Sequence, residues 1–146
     1  MRAVLQRISK AQLLVEGKVH ASCGRGLLVL VGFERGDTEQ LAKGLVDRIL
    51  TLRIFPDDKG KMARSLVEEN GELLLVSNFT LCGELQKGTR PDFSRAMARK
   101  EAELLFHRTF NYARSVYPRL SSGVFGAMME ICATLDGPVT LILEAS

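Results

Sequence analysis

The sequence predicts an α/β domain of the α+β type, a mixed or mostly antiparallel curved sheet carrying two main helices. Three observations lead there. Apolar residues recur at three- and four-residue intervals in two long segments, while in several shorter ones they alternate or run unbroken. The resulting order of strand, hairpin, strand, helix, strand, helix, strand, strand lacks the βαβαβ alternation of a dinucleotide fold. A chain of 146 residues suits one domain, residues 1–146, with a single core. Two helices cover one face of a sheet, so the other is exposed unless the strands curl or a second subunit covers it. A homodimer with a β-barrel-like assembly is therefore expected, because symmetric pairing is the usual way to bury such a face.

In chain order, residues 2–8 alternate and predict a first strand. Residues 12–16 and 18–22 flank Gly17, where a tight connection needs positive φ, so a hairpin is expected there, with His20 on it. Gly24 and Gly26 release the chain into residues 27–33, whose Leu/Val content suggests a strand buried on both faces. Asp37 or Thr38 can cap a helix reaching about Arg53, with Leu41, Leu45, Val46, Ile49 and Leu52 on one face. A turn-rich loop follows at 56–60, then a short irregular segment at 62–66.

Asn70-Gly71 is a turn signal, and Leu73 to Val76 after it predict a buried strand. Residues 83–91 form a polar loop. From about Arg95 to Tyr117 the spacing of Ala102, Leu105, Phe106, Thr109, Ala113 and Val116 predicts a second, longer helix, which Pro118 stops. Its expected first turns carry Arg95, Arg99 and Lys100, unfavourable to a helix dipole unless a phosphate relieves them; from this segment alone a solvated basic face is the favoured reading. Residues 124–135 predict a strand, Asp136-Gly137-Pro138 a break, and residues 139–143 a last strand.

Composition narrows the classes. Hydrophobic residues at 46% and charged residues at 25% match an ordinary globular protein and argue against disorder or a coiled coil. The longest apolar block, residues 27–31, is far short of a bilayer span, and the N-terminus alternates from Val4 without a signal-peptide core. Cys23, Cys82 and Cys132 lack C-x-x-C spacing, which points away from a disulfide framework or zinc knuckle and toward a reducing, cytoplasmic setting. A net charge of +3 is compatible with a phosphate-bearing partner without requiring one.

The candidate site is where a greasy strand ends in polar groups: Ser77, Asn78, Phe79 and Thr80 follow Val76. Hydroxyls, an amide and main-chain N–H groups at the end of a rigid strand can present a site to a small polar ligand; a strand fraying into a loop gives the same pattern. Ser77 and Thr80 are candidate catalytic hydroxyls, yet no base is adjacent, no G-x-S-x-G elbow or P-loop occurs, and His20 and His107 have no spacing that ties them to Ser77. No metal cluster or cofactor motif is expected. What remains is main-chain dipoles, which stabilise an oxyanion without a charged side chain. Gly137-Pro138 is the second unusual device, a plain turn or, with a cis bond, a pair of carbonyls facing one pocket.

Ser77-Asn78-Phe79-Thr80-Leu81 resembles the S-Q-F-T-L motif of the D-aminoacyl-tRNA deacylases, and Asp136-Gly137-Pro138-Val139-Thr140 resembles their Gly-Pro motif. Framework blocks at residues 5–8, 26–32, 53–55, 60–62 and 87–93 fall in the same family's order. The resemblance implies a homodimeric cytoplasmic hydrolase that cleaves the ester between a D-amino acid, or glycine, and the 3′-terminal adenosine of tRNA, without cofactor. By position, Gly137 and Pro138 would enter the partner subunit's site as a cis-peptide filter that excludes L side chains. Ser77, Asn78, Phe79 and Thr80 would line the pocket, with Thr80 either the nucleophile or an aligner of substrate and water. Asn78 stands where the family usually has Gln. Lys87, Arg90, Arg95, Arg99 and Lys100 would face acceptor-stem phosphates. Two rival functions remain, a non-catalytic nucleic-acid-binding protein and an editing relative that removes L-amino acids through a trans Gly-Pro bond.

Overall fold

Strand β1 (Arg2–Val15) is the axis on which the other strands hang. The computed structural model, which describes residues 1–145, shows it as one long element rather than a strand followed by a separate hairpin arm. Its first half pairs antiparallel with β3 (Gly26–Gly32), its second half with β2 (Lys18–Cys23), and β8 (Met129–Glu144) runs antiparallel along its whole opposite side. The expected turn joins β1 to β2, with Glu16 and Gly17 both at positive φ. Beyond β3 the sheet continues with parallel strands β6 (Glu72–Ser77) and β7 (Leu120–Ser122).

A break in alternation bends β1. Ala3 and Leu5 are buried on one face, then Arg7 and Ile8 are buried consecutively, and alternation resumes at Ala11 and Leu13. The ladder to β8 shifts register on either side of Ile8, which is what a bulge produces. Consequently the two halves of β1 serve different cores. Ala3 and Leu5 join Leu27, Val29 and the helices, whereas Ile8, Ala11 and Leu13 join Leu28, Leu74 and Val76 on the other face of β3 and β6. The sheet curls into a nearly closed mixed barrel with one seam, which covers much of the second face that two helices cannot reach. The α/β class with two helices is as expected from the sequence.

Helix α1 (Glu39–Thr51) starts at Thr38, whose hydroxyl accepts from Leu41 N at 3.2 Å. It buries Ala42, Leu45, Val46, Ile49 and Leu50 against the sheet; Leu41 and Leu52 pack half-buried at its margin. Helix α2 (Arg99–Val116) buries the expected Ala102, Leu105, Phe106, Thr109 and Ala113. It begins four residues later than its periodicity suggested, because the segment before it is tied elsewhere: Arg95 O accepts from Arg35 N at 2.9 Å, and Met97 N donates to Phe33 O at 3.0 Å. Tertiary hydrogen bonds therefore hold Arg95 outside the helix.

Three further local expectations need correction. Residues 62–64 are not irregular but form β5 (Met62–Arg64), which pairs with β4 (Phe55–Pro56). Residues 124–128 are not strand; Ala127 N donates to Val124 O at 3.2 Å and Gly126 has φ +75°, so the chain turns there after β7 and enters β8 only at Met129. Asp136-Gly137-Pro138 does not divide two strands either. It lies within β8, opposite the bulge of β1, where the offset register accommodates it without ending the pairing. Among the described residues no helix is long and apolar enough to cross a membrane.

Candidate active site

Strand β6 is held between β3 and β7, which fixes where its polar end emerges. Leu73 to Val76 are buried, Ser77 is half-buried, and Asn78 leaves the strand while donating its N–H to Val31 O at 2.8 Å. The chain then tightens into a 3₁₀ turn, Phe79–Cys82, with Leu81 N donating to Asn78 O at 3.3 Å and Gly83 N to Thr80 O at 3.1 Å. The polar tail is thus an ordered turn and not a fraying end. The N–H groups of Phe79 and Thr80 have no acceptor among the described residues, as expected for the first donors of a helical turn.

A cavity of about 600 Å³ opens at this strand end. Ser77, Asn78 and Phe79 form one wall, Met97 and Ala102 the α2 side, and Phe125 to Met129 the turn opposite. Arg99 is the one charged side chain among the described lining residues. Phe79 is 58% exposed and leans edge-on against Phe93, ring centroids 5.1 Å apart at 62°. An exposed aromatic beside an apolar hollow offers a planar ligand a surface to lie on.

Thr80 sits just beyond the lining. Its hydroxyl donates to the Asn78 side-chain oxygen at 2.5 Å. An amide oxygen is no base at neutral pH, so this contact orients the hydroxyl without activating it as a nucleophile. His20 lies on exposed β2 and His107 on an exposed face of α2; neither lines the cavity. The thiols offer no substitute here, since Cys82 is buried and burial, aided by the charge of Glu34, pushes it up from its ordinary range.

The Gly-Pro element is elsewhere on the chain. Gly137-Pro138 is a cis peptide, exposed on β8 and absent from the lining of the cavity. Buried Arg7 fixes the preceding residue: its Nε lies 3.1 Å from Asp136 Oδ2 and donates to Asp136 O at 3.3 Å, while Nη1 donates to Ile54 O at 2.8 Å. Gly137 has φ +126°, and a Cβ there would come 2.8 Å from Val139 N, so only glycine fits without displacement. Within one chain the structure therefore brings Ser77, Asn78 and Phe79 together, keeps Thr80 beside them through Asn78, and leaves Gly137 and Pro138 apart.

Sequence spacing missed the far wall, Met97 and Phe125 to Met129, because no motif joins segments meeting only in space, and it named Arg99 as a phosphate contact without placing it at this cavity. It also grouped Arg95 with Arg99, whereas Arg95 is paired with Glu34 at 3.3 Å and Glu84 at 3.2 Å. A second hollow, about 770 Å³, lies among Lys10, Gln12, Cys132, Thr134 and Glu72. Cys23 borders it, but burial and the Glu72 carboxylate push that thiol up to about 12, so it stays a neutral thiol at physiological pH.

Fold and site define the class: an α/β protein with a curled mixed sheet, whose apolar cavity at a strand end is edged by hydroxyls, an amide and one guanidinium. The chain belongs to the D-Tyr-tRNA(Tyr) deacylase family, whose profile matches residues 4–144. It is 45% identical over 145 residues to a D-aminoacyl-tRNA deacylase of Pseudomonas aeruginosa, covering 99% of this chain and 100% of the relative. A D-aminoacyl-tRNA deacylase of Bacillus velezensis is 43% identical, with 99% of each chain covered. Among solved structures, the c-Myc DNA unwinding element binding protein superposes with a TM-score of 0.95 at 38% identity, covering 100% of this chain and 99% of its own. A probable eukaryotic D-amino acid tRNA deacylase shares the fold, with a TM-score of 0.87 at 22% identity over 97% of both chains.

Proposed function

We propose that this chain is a D-aminoacyl-tRNA deacylase, a hydrolase that cleaves the ester between a D-amino acid, or mischarged glycine, and the 3′-terminal adenosine of tRNA, and so proofreads aminoacyl-tRNA for translation in the cytoplasm. The observation that carries the mechanism is the pair of unsatisfied N–H groups at Phe79 and Thr80, at the rim of an apolar cavity. Water adds to the acyl carbon, the carbonyl oxygen becomes an oxyanion held by those two donors, and collapse expels the ribose 3′-oxygen, which takes up a proton. The products are the free amino acid and the tRNA 3′-OH. Thr80, oriented by Asn78, aligns substrate and water, with the ribose 2′-OH assisting proton transfer; Ser77 contributes a polar contact to the aminoacyl end.

Chirality is assigned to Gly137 and Pro138 of a second copy. Their carbonyls hold the substrate amino group and leave no room for an L side chain, so selection works by exclusion. Two features support a shared site in a homodimer. Gly137 and Pro138 do not line their own cavity, and β8 is exposed over most of its length, with Ile142 65%, Leu135 43% and Leu141 36% exposed. Lys87, Arg90 and Lys100, all exposed, are assigned to acceptor-stem phosphates.

The name of the c-Myc DNA unwinding element binding protein favours a second reading, a nucleic-acid-binding protein without catalysis. Assaying D-Tyr-tRNA and L-Tyr-tRNA side by side separates the possibilities. Hydrolysis of the D form alone is expected. Hydrolysis of neither favours the binding protein, and hydrolysis of the L form removes the chiral filter.

A further inference from the structure

We infer that Arg99 binds the phosphodiester attached to the 5′ carbon of the terminal adenosine, and is thereby a substrate-positioning residue. The inference rests on the deacylase reading and adds to it a contact that holds the nucleotide, not the aminoacyl group.

Arg99 differs from the other basic residues in lining the cavity itself. Its guanidinium makes no ion pair or hydrogen bond among the described residues, although nearby Arg95 has two carboxylate partners. It nevertheless lines a hollow whose other described walls carry no charge. Its lateral position is set by the turn at Gly126: a Cβ there would come 2.6 Å from Arg99 Nη2, so the guanidinium lies directly against that main chain. Gly126 has φ +75°, a conformation that suits glycine and lets the arginine approach.

The chemistry of the ligand follows from charge and distance along a nucleotide. With the ester at Ser77 to Thr80 and the base near exposed Phe79, the only anionic group of the terminal nucleotide is its 5′ phosphate, one sugar away from the ester. A guanidinium offers a planar fork of donors that matches two phosphate oxygens. Because the contact is already present in the ground state, it lowers KM more than it raises kcat.

The test uses the full chain with D-Tyr-tRNA, comparing wild type, Arg99→Gln and Arg99→Lys over a range of KCl concentrations. For Arg99→Gln, KM is expected to rise about tenfold to a hundredfold, the range of a charge-assisted hydrogen bond, with kcat within about twofold. The slope of log(kcat/KM) against log[KCl] becomes shallower by about 0.7, the loss of one single-strand phosphate contact. Arg99→Lys restores that slope, which a packing role for the side chain would not do. Wild-type KM and slope in Arg99→Gln overturn the inference while the deacylase reading stands. Absence of D-Tyr-tRNA hydrolysis by wild type overturns the reading and the inference together.

Discussion

The Thr80 hydroxyl donates a hydrogen bond to the side-chain oxygen of Asn78 across 2.5 Å. The pairing decides what Thr80 can do. A hydroxyl whose one partner among the described residues is a neutral amide is oriented, with its lone pairs free to receive a water or an amino group, and among those residues no base withdraws its proton. Replacing Thr80 by Ala should therefore slow single-turnover hydrolysis of D-Tyr-tRNA by about ten- to a hundredfold, in the range of a lost positioning contact. A nucleophile would cost several further orders of magnitude, and so large a loss would show that Thr80 carries the acyl group. Asn78→Ala should give a smaller loss in the same direction, because it frees the hydroxyl without removing it.

Gly137→Ala places a Cβ 2.8 Å from Val139 N at φ +126°. The bulge must shift to admit it, at a cost of about 1–3 kcal/mol. A thermal melt should show a modest drop, while hydrolysis of D-Tyr-tRNA falls at least about a hundredfold, as expected when a positioning wall moves by an ångström. Wild-type turnover with a lowered melting temperature would take the residue out of the site.

Ile142 is 65% exposed on β8 in the single chain, and a homodimer built on this strand would cover it. Sedimentation at micromolar concentration should give a dimer for wild type and a monomer for Ile142→Asp. The monomer should retain its fold by circular dichroism and lose deacylation, since each cavity would lack the partner's Gly-Pro element. An active monomer would refute the shared site.

Base should weaken the fold. Burial and Glu72 hold the Cys23 thiol protonated up to about pH 12. Burial likewise raises Cys82 and Tyr117, and a hydrogen bond to Asp47 raises Tyr112. Each ionises more readily in the unfolded chain, so stability present below about pH 9 is lost as pH rises toward about 12. The melting temperature should fall steadily above pH 9, and less steeply in Cys23→Ala. Cys23 is buried and its thiol is held neutral at pH 8, so a thiol reagent should reach it only after denaturation.

Local chemistry written in short stretches was legible without coordinates. A cap at Asp37 or Thr38, most of the buried face of each helix and the hairpin at Gly17 follow from propensity and period, which depend on neighbours a few residues away; Val116, expected on the face of α2, is exposed. Ser77 to Thr80 could likewise be singled out as polar residues ending a buried strand, although a fraying end has the same pattern, and the lack of an adjacent base could be read from the same stretch. The S-N-F-T-L and Gly-Pro motifs linked two distant stretches to one family.

Tertiary structure decided the rest, since it depends on groups distant in sequence. Hydrogen bonds to Arg35 and Phe33 keep residues 95–97 out of α2, against their helical spacing. The bulge at Ile8 of β1 sends the two halves of one strand to different cores and curls the sheet over its own second face. The turn at Phe125 to Met129 and the start of α2 meet Ser77 around one cavity, made from three segments with no common pattern. Sequence alone supplied the polar wall and its lack of a base; packing supplied the facing wall and set Arg99 beside it without an ion pair among the described residues.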